Sequence, residues 1–200
     1  MIKDIDSLIE EIRKYAKGAV SDSRFQHSVR VAETAMKLCE KFGLDGKIGY
    51  LAGISHDICK AMPDDLLISM SARDGLPFTD LEAKKPALLH GRAAAVKLQE
   101  DFNLSEPDVI EAVQNHTFGK IGMSDLSKIV FIADKIEPGR PQVDEAYLKK
   151  IKKLSLNALA LFVLEDNIAY LEKKGKAVAP QSLELLGWLK DITGGENENS

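Results

Sequence analysis

Apolar residues recur along this chain at intervals of three and four, and strict alternation is almost absent, so the pattern predicts helices throughout. Ile5, Leu8, Ile9 and Ile12 form such a stripe on a short first helix. Ser21 and Asp22, both good caps, open a second helix that carries Phe25, Val29, Ala32, Met36 and Cys39 and stops at Gly43. His27 lies on the flank of that stripe with Val31 and Leu38, a placement that lets it face the interior. A third helix is expected from about Lys47 to Lys60, with Ile48, Leu51, Ala52 and Ser55 toward the core and His56-Asp57 at its end. Pro63 suits the first turn of a helix through Met70, and SARDGLPFTDLEAKK reads as the longest irregular stretch. Pro86 opens the next helix and sets His90 in its first turns.

Ser105-Glu106-Pro107-Asp108 combines a capping serine, a first-turn proline and an acid three residues past the cap, starting a helix that runs to Gln114 or His116. Another helix spans about Asp125 to Glu137 and stops at Pro138-Gly139. Two further helices are expected between Val143 and about Ile192. The apolar SLNALALFVLEDNIAYLEKKG within that stretch is either internal packing or an oligomer face, the second implying a homodimer. The tail GGENENS, residues 194–200, is expected to be disordered. No internal repeat or domain boundary is visible, and the expectation is one all-α domain over residues 1–195.

Charge and cysteine content narrow the function. A formal charge of −4 argues against general nucleic-acid binding, so any phosphate-bearing ligand is expected to be small and gripped locally. Cys39 and Cys59 make no disulfide framework and no C-x-x-C pair. The acidic, amphipathic start lacks a signal core and no apolar run reaches the roughly 18 residues that cross a bilayer, so a cytoplasmic protein without a membrane partner is expected.

The chemistry lies in an ordered set: His27, the adjacent His56-Asp57, His90, His116 and Asp134, which includes all four histidines. Neutral imidazoles beside carboxylates hold borderline-hard divalent ions, and this mixture points to a metal-dependent phosphohydrolase. Consecutive helical side chains diverge by about 100°, so His56 and Asp57 reach one ion only near a helix end facing a cleft. A bare HD pair is more often a solvated helix terminus; His27 and Asp134, each among apolar residues on other helices, tip the balance. Asp134, inside KIVFIADKIEP, needs either a metal or an internal lysine or arginine partner. His90 and His116 make the right number for a second ion, or for a histidine pair facing a phosphate; the bland alternatives are an inert first-turn histidine and a helix-end histidine favoured by the dipole. Lys60 is expected on the face of His56 and Asp57, aimed at an anion, or else simply solvated. Arg140 suits bidentate phosphate contact, Thr117 offers a hydroxyl beside His116, and Arg24 either binds phosphate or pairs with the site carboxylates. No H-E-x-x-H, P-loop or G-x-S-x-G motif is present.

The order H…HD…H…H…D resembles the HD-domain superfamily of metal-dependent phosphohydrolases, which implies a helical bundle with a five-helix core, here about residues 20–145, plus a C-terminal helical extension over about 146–192. RFQHSVRVAETA, LAGISHDICK, PALLHGRAAA and VQNHTFGKIGMSDLSKIVFIADKIEPGR together are similar to the bacterial HD-type symmetrical bis(5′-nucleosyl)-tetraphosphatases (YqeK-like), with a departure at Ser55, where many relatives carry leucine. The resemblance implies hydrolysis of diadenosine tetraphosphate to two ADP at a di-iron centre, with manganese or cobalt able to substitute. It implies His27, His56, Asp57 and Asp134 as ligands of the first iron. His90 and His116, with Asp57 bridging, would hold a second iron or contact the phosphates, and Lys60, Thr117 and Arg140 would bind the ADP phosphates. On this reading Asp57, Lys60, His90 and His116 are the catalytic groups, and His27 and Asp134 also face the substrate. Two alternatives stand beside it: an HD-type nucleotidase or phosphodiesterase for another small nucleotide, and a non-catalytic nucleotide-sensing module.

Overall fold

A computed structural model describes residues 4–198, with side chains as far as residue 195. All regular structure among the described residues is helical. Helix α1 (Ile5–Ala19) buries Leu8, Ile12 and Ala16. Helix α2 (Asp22–Lys41) starts at the Ser21 cap, whose hydroxyl accepts the Arg24 N–H, and lies along α3 (Gly46–Ser55). Small residues allow that close approach. A Cβ on Gly53 would fall 2.5 Å from the Ala32 Cα, and one on Gly49 would fall 2.9 Å from the Ala35 carbonyl oxygen. Interhelical spacing is therefore set by glycine facing alanine, and it carries His27 on α2 toward His56 just beyond α3.

Helix α3 stops at Ser55, short of the expected Lys60, and residues 56–60 form successive turns. The cause is local. Ser55 donates its hydroxyl to the Leu51 carbonyl and His56 donates Nδ1–H to the Gly53 carbonyl, while Ile58 and Lys60 donate their N–H groups three residues back. The chain thus tightens out of the α-ladder, as side chains competing for backbone acceptors promote. Lys60 consequently does not share a helix face with His56 and Asp57.

Helix α4 (Asp64–Ser71) follows Pro63. The stretch expected to be irregular is partly built: a 3-10 turn at Ala72–Asp74, then α5 (Asp80–Lys84), whose Thr79 and Glu82 form a capping box. A 3-10 turn at Pro86–Leu89 leads into α6 (His90–Asp101), so the Pro86 helix starts as 3-10. Helix α7 (Pro107–Asn115) has Glu106 as its N-cap residue with no side-chain cap bond, so Ser105 does not cap it. Helix α8 (Asp125–Ile136) begins at the Ser124 cap.

Three helices follow rather than two: α9 (Glu145–Ile151), α10 (Leu156–Lys173) and α11 (Pro180–Glu198). The tail expected to be disordered is helical as far as Glu198, and its last two residues lie outside the described residues. The apolar face of α10, with Leu159, Val163, Leu164 and Ile168, packs against α8 and α11 and is internal. Helix α8 joins two cores. Its Ile129, Val130 and Ala133 pack with Val31, Ala32, Leu51 and Val113, and its Phe131, Ile132 and Ile136 pack with α10 and α11. Asp134 sits at the seam where these two cores meet.

Candidate metal centre and its cleft

Three histidines stand at one kind of place: His56 is the C-cap of α3, His116 the C-cap of α7 and His90 the C-cap of the 3-10 turn before α6. The last carbonyls of a helical segment lack intrahelical donors. Each of these rings uses one of them, donating Nδ1–H to the carbonyl three residues back: Gly53 at 2.7 Å, Val113 at 2.7 Å and Ala87 at 2.8 Å. That bond fixes the tautomer and leaves each Nε2 as a lone-pair donor aimed inward. Gly91 permits the approach of the last two, since a Cβ there would meet the Val113 oxygen at 2.9 Å and the His116 ring at 3.0 Å.

The donors converge on Asp57, which is 3% exposed. Its Oδ2 lies 3.4 Å from His56 Nε2 and 3.9 Å from His27 Nε2, and its Oδ1 lies 3.1 Å from His90 Nε2 and 3.8 Å from His116 Nε2. Each carboxylate oxygen thus faces a different histidine pair. Two donor groups result, His27/His56/Asp57 and Asp57/His90/His116, each with ligand atoms within 4.8 Å of one another. Asp134 Oδ1 adds to the first group, 3.1 Å from His27 Nε2 and 3.9 Å from His56 Nε2. The Nε2 atoms of His27 and His56 are buried and make no hydrogen bond, although carboxylate oxygens stand nearby. Buried lone pairs without a hydrogen donor, grouped with carboxylates, suit a divalent cation.

Electrostatics favour the ligating forms of Asp57, Asp134 and His116, whereas at His56 burial is outweighed by Asp57 and Asp134, which push that imidazole up. Burial works to raise the Asp57 carboxyl, but the His56 and His90 imidazoles outweigh it and hold that group well below the usual carboxylate range. The Asp134 carboxyl is also held low, with Lys135 as the main agent against burial. Burial, reinforced by His56 and His90, pushes His116 far down, which keeps its ring neutral.

Cations rim the site. Lys60 Nζ lies 3.1 Å from His90 Nε2 and 3.9 Å from Asp57 Oδ1, and burial lowers its pKa. Arg24 Nη1 donates to Asp57 Oδ2 at 3.0 Å. Arg140, expected on phosphate, donates Nη2 to Asp134 Oδ1 at 2.7 Å and Nε to the Asp134 carbonyl at 2.8 Å. The internal-pair alternative for Asp134 and the carboxylate-pairing alternative for Arg24 are therefore both realised beside the donor groups. Thr117 places its hydroxyl 3.3 Å from His116 Nε2. All of them line one cleft of about 1110 Å³, whose other walls carry Leu81, Lys85 and Leu88 on one side and Tyr147, Asp166, Tyr170, Lys173 and Lys176 on the other.

Two residues escaped sequence reasoning. Lys135, 11% exposed at its side chain, donates to the His116 carbonyl at 3.0 Å and stands 3.4 Å from Asp134 Oδ2. Its signal was adjacency to Asp134 in a buried helix. Glu137 accepts the His27 Nδ1–H at 3.1 Å and is 2% exposed, and nothing in the linear sequence ties it to a partner on α2.

The chain is similar to known proteins over most of its length. The profile of the HD domain matches residues 24–139. The chain is 32% identical over 182 residues to the symmetrical bis(5′-nucleosyl)-tetraphosphatase of Bacillus subtilis, covering 90% of this chain and 96% of that protein. It is also 32% identical to the enzyme of that name from Staphylococcus aureus, covering 90% and 93% respectively. Among solved structures, a predicted HD superfamily hydrolase involved in NAD metabolism from Clostridium acetobutylicum superimposes with a TM-score of 0.83 at 30% identity, covering 92% of this chain and 97% of that one.

Proposed function

We propose that this chain, which belongs to the HD-domain family, hydrolyses diadenosine tetraphosphate symmetrically to two ADP. The observation that carries the reading is a single carboxylate, Asp57, facing two histidine pairs with its two oxygens at the floor of a cationic cleft. Relatives matched over nearly their whole length bear the name of that activity. Iron is the ion we propose, with manganese or cobalt able to replace it, because imidazole with carboxylate suits all three. Lewis-acid polarisation of phosphoryl oxygens and activation of a water nucleophile are the chemistry that such ions supply when bound.

The rest falls to the protein. His27, His56, Asp57 and Asp134 would hold one ion; His90 and His116, sharing Asp57, would hold a second or contact phosphate. Lys60, one-third exposed at the side chain and beside His90, supplies positive charge to the non-bridging oxygens of the reacting phosphate. Arg24 and Arg140, both partly exposed, orient Asp57 and Asp134 with one edge of the guanidinium and leave the other edge for phosphate. Thr117 offers a hydroxyl on the same rim. Water oxygen joins a β-phosphorus, the central P–O–P bond breaks, and the leaving ADP departs on its own oxygen, a tolerable leaving group that needs no strong acid. The cleft is roomy enough for a small dinucleotide. The net charge of −4 supports small-molecule over nucleic-acid partners and fits a cytoplasmic enzyme.

Chromatography of products from diadenosine tetraphosphate and from a panel of mononucleotides tests the reading. ADP alone from the dinucleotide is expected. AMP plus ATP would move the scissile bond by one phosphate, and preference for a mononucleotide would replace the substrate.

A further inference from the structure

His27 differs from the other three histidines in how its second nitrogen is held. It sits in the interior of α2, where no carbonyl is left over from the helical ladder, and so the C-cap device that fixes His56, His90 and His116 is not open to it. Its Nδ1–H goes instead to Glu137 Oε1 at 3.1 Å, more than a hundred residues away in sequence. Glu137 is not free to turn. Arg30, one turn along α2 from His27, donates Nε to Oε2 at 2.5 Å and Nη2 to Oε1 at 3.2 Å, and the Gly139 N–H donates to Oε2 at 2.5 Å. A Cβ on Gly139 would lie 2.5 Å from the Arg30 Nη2, so the bare glycine leaves room for this clasp.

From this arrangement we infer that Glu137, clasped by Arg30 and Gly139, is a positioning residue that fixes the His27 tautomer and makes the two metal positions unequal. The inference rests on the metal reading of the preceding section. A carboxylate behind an imidazole makes its other nitrogen a stronger donor than a neutral carbonyl does. Among the described residues only the His27/His56/Asp57 group has such a partner, and it alone is joined by a second carboxylate, Asp134 Oδ1 at 3.1 Å from His27 Nε2. His90 and His116 are backed by carbonyls, while cations stand beside both groups, Arg24 and Arg140 at the first and Lys60 at the second. The first group therefore binds the tighter ion, and the Asp57/His90/His116 group the weaker.

Calorimetric titration of metal-free protein with Mn²⁺, read beside metal content after dialysis, tests this without recourse to turnover. Wild type is expected to show a tight and a weak class. Glu137→Ala should weaken the tight class by roughly 10- to 100-fold while sparing the weak one, the usual cost of losing such a partner. Glu137→Gln keeps an acceptor oxygen and its shape, and should fall between. Nitrogen-15 spectra of metal-free wild type, taken above the ordinary imidazole range, should show His27 protonated on Nδ1. Protonation on Nε2 in the wild type would overturn the inference whatever the variants do, as would an unaltered tight class in Glu137→Ala. A wild type that binds no Mn²⁺, Fe²⁺ or Co²⁺ would overturn the metal reading itself, and the His27 tautomer would then decide the role of Glu137 alone.

Discussion

Removing the Arg92 guanidinium should loosen one wall of the cleft and cost a large share of the stability. All its donor nitrogens are engaged: Nε and Nη2 hold Asp74 at 2.7 Å each, Nη2 also reaches the Leu76 carbonyl at 2.8 Å, and Nη1 reaches the Pro77 carbonyl at 3.2 Å and Glu82 at 3.4 Å. Arg92 and Asp74 are 9% and 8% exposed at their side chains. Breaking a buried ion pair by deleting one partner costs about 3–5 kcal/mol. In Arg92→Met the Leu76 N–H and the Gln114 amide still serve Asp74, at 2.8 and 3.3 Å, so the low end applies. A loss of about 3 kcal/mol at this chain length corresponds to a fall in Tm of roughly 6–12 °C. The pH dependence has a definite sign. Burial works against the Asp74 charge, but Arg92 and the Leu76 N–H outweigh it and set the carboxyl below its ordinary value. The stability from that shift is fully present above the unfolded carboxylate value of about 3.9 and is lost as pH falls through the folded one. Urea unfolding of wild type and Arg92→Met from neutral pH downward should therefore show a gap that narrows below about pH 4. The KM should rise as well, because the segment clasped by Arg92 leads into Leu81 and Lys85 of the cleft. A neutral-pH gap under about 1 kcal/mol, or one constant into acid, would refute the account.

Other expectations concern the site. Asp57→Ala should lose both classes of bound metal along with activity, as read by metal analysis, because its two oxygens face separate histidine pairs. Lys60→Ala should keep its metal while transition-state stabilisation drops by about 1.5–3 kcal/mol, roughly 10- to 150-fold in kcat/KM. Arg140→Ala should lose both activity and metal affinity, since its guanidinium holds Asp134 Oδ1 as well as facing the cleft; unchanged metal affinity there would refute its role in orienting Asp134. Gly53→Ala should lower Tm through an overpacking cost of about 1–3 kcal/mol and weaken the first metal class, because its Cβ would press on the α2 backbone at Ala32 and shift the Gly53 carbonyl that holds His56.

What could be read from the chain, and what could not, follows the range of the forces involved. Helical class and most helix positions are legible because amphipathic spacing is local, and the order of His27, His56-Asp57, His90, His116 and Asp134 is legible because ligand chemistry restricts residue types. The early end of α3 is not, since it depends on Ser55 and His56 turning back onto Leu51 and Gly53, a choice made by side-chain geometry rather than by composition. The ordered stretch near residue 80 is hidden for the opposite reason: Pro77, Thr79 and Gly75 look like loop residues, yet Arg92 supplies from α6 the donors that tie the segment down. Glu137 shows the limit most clearly. Its string IEPGR points to a helix end and a phosphate-binding arginine, but Arg140 turns back onto Asp134 and Glu137 crosses to α2. In a helical bundle, the residues that give a metal ligand its orientation come from whichever helix lies alongside. A motif therefore names the ligands, while the packing of α2 against α8 decides what holds them.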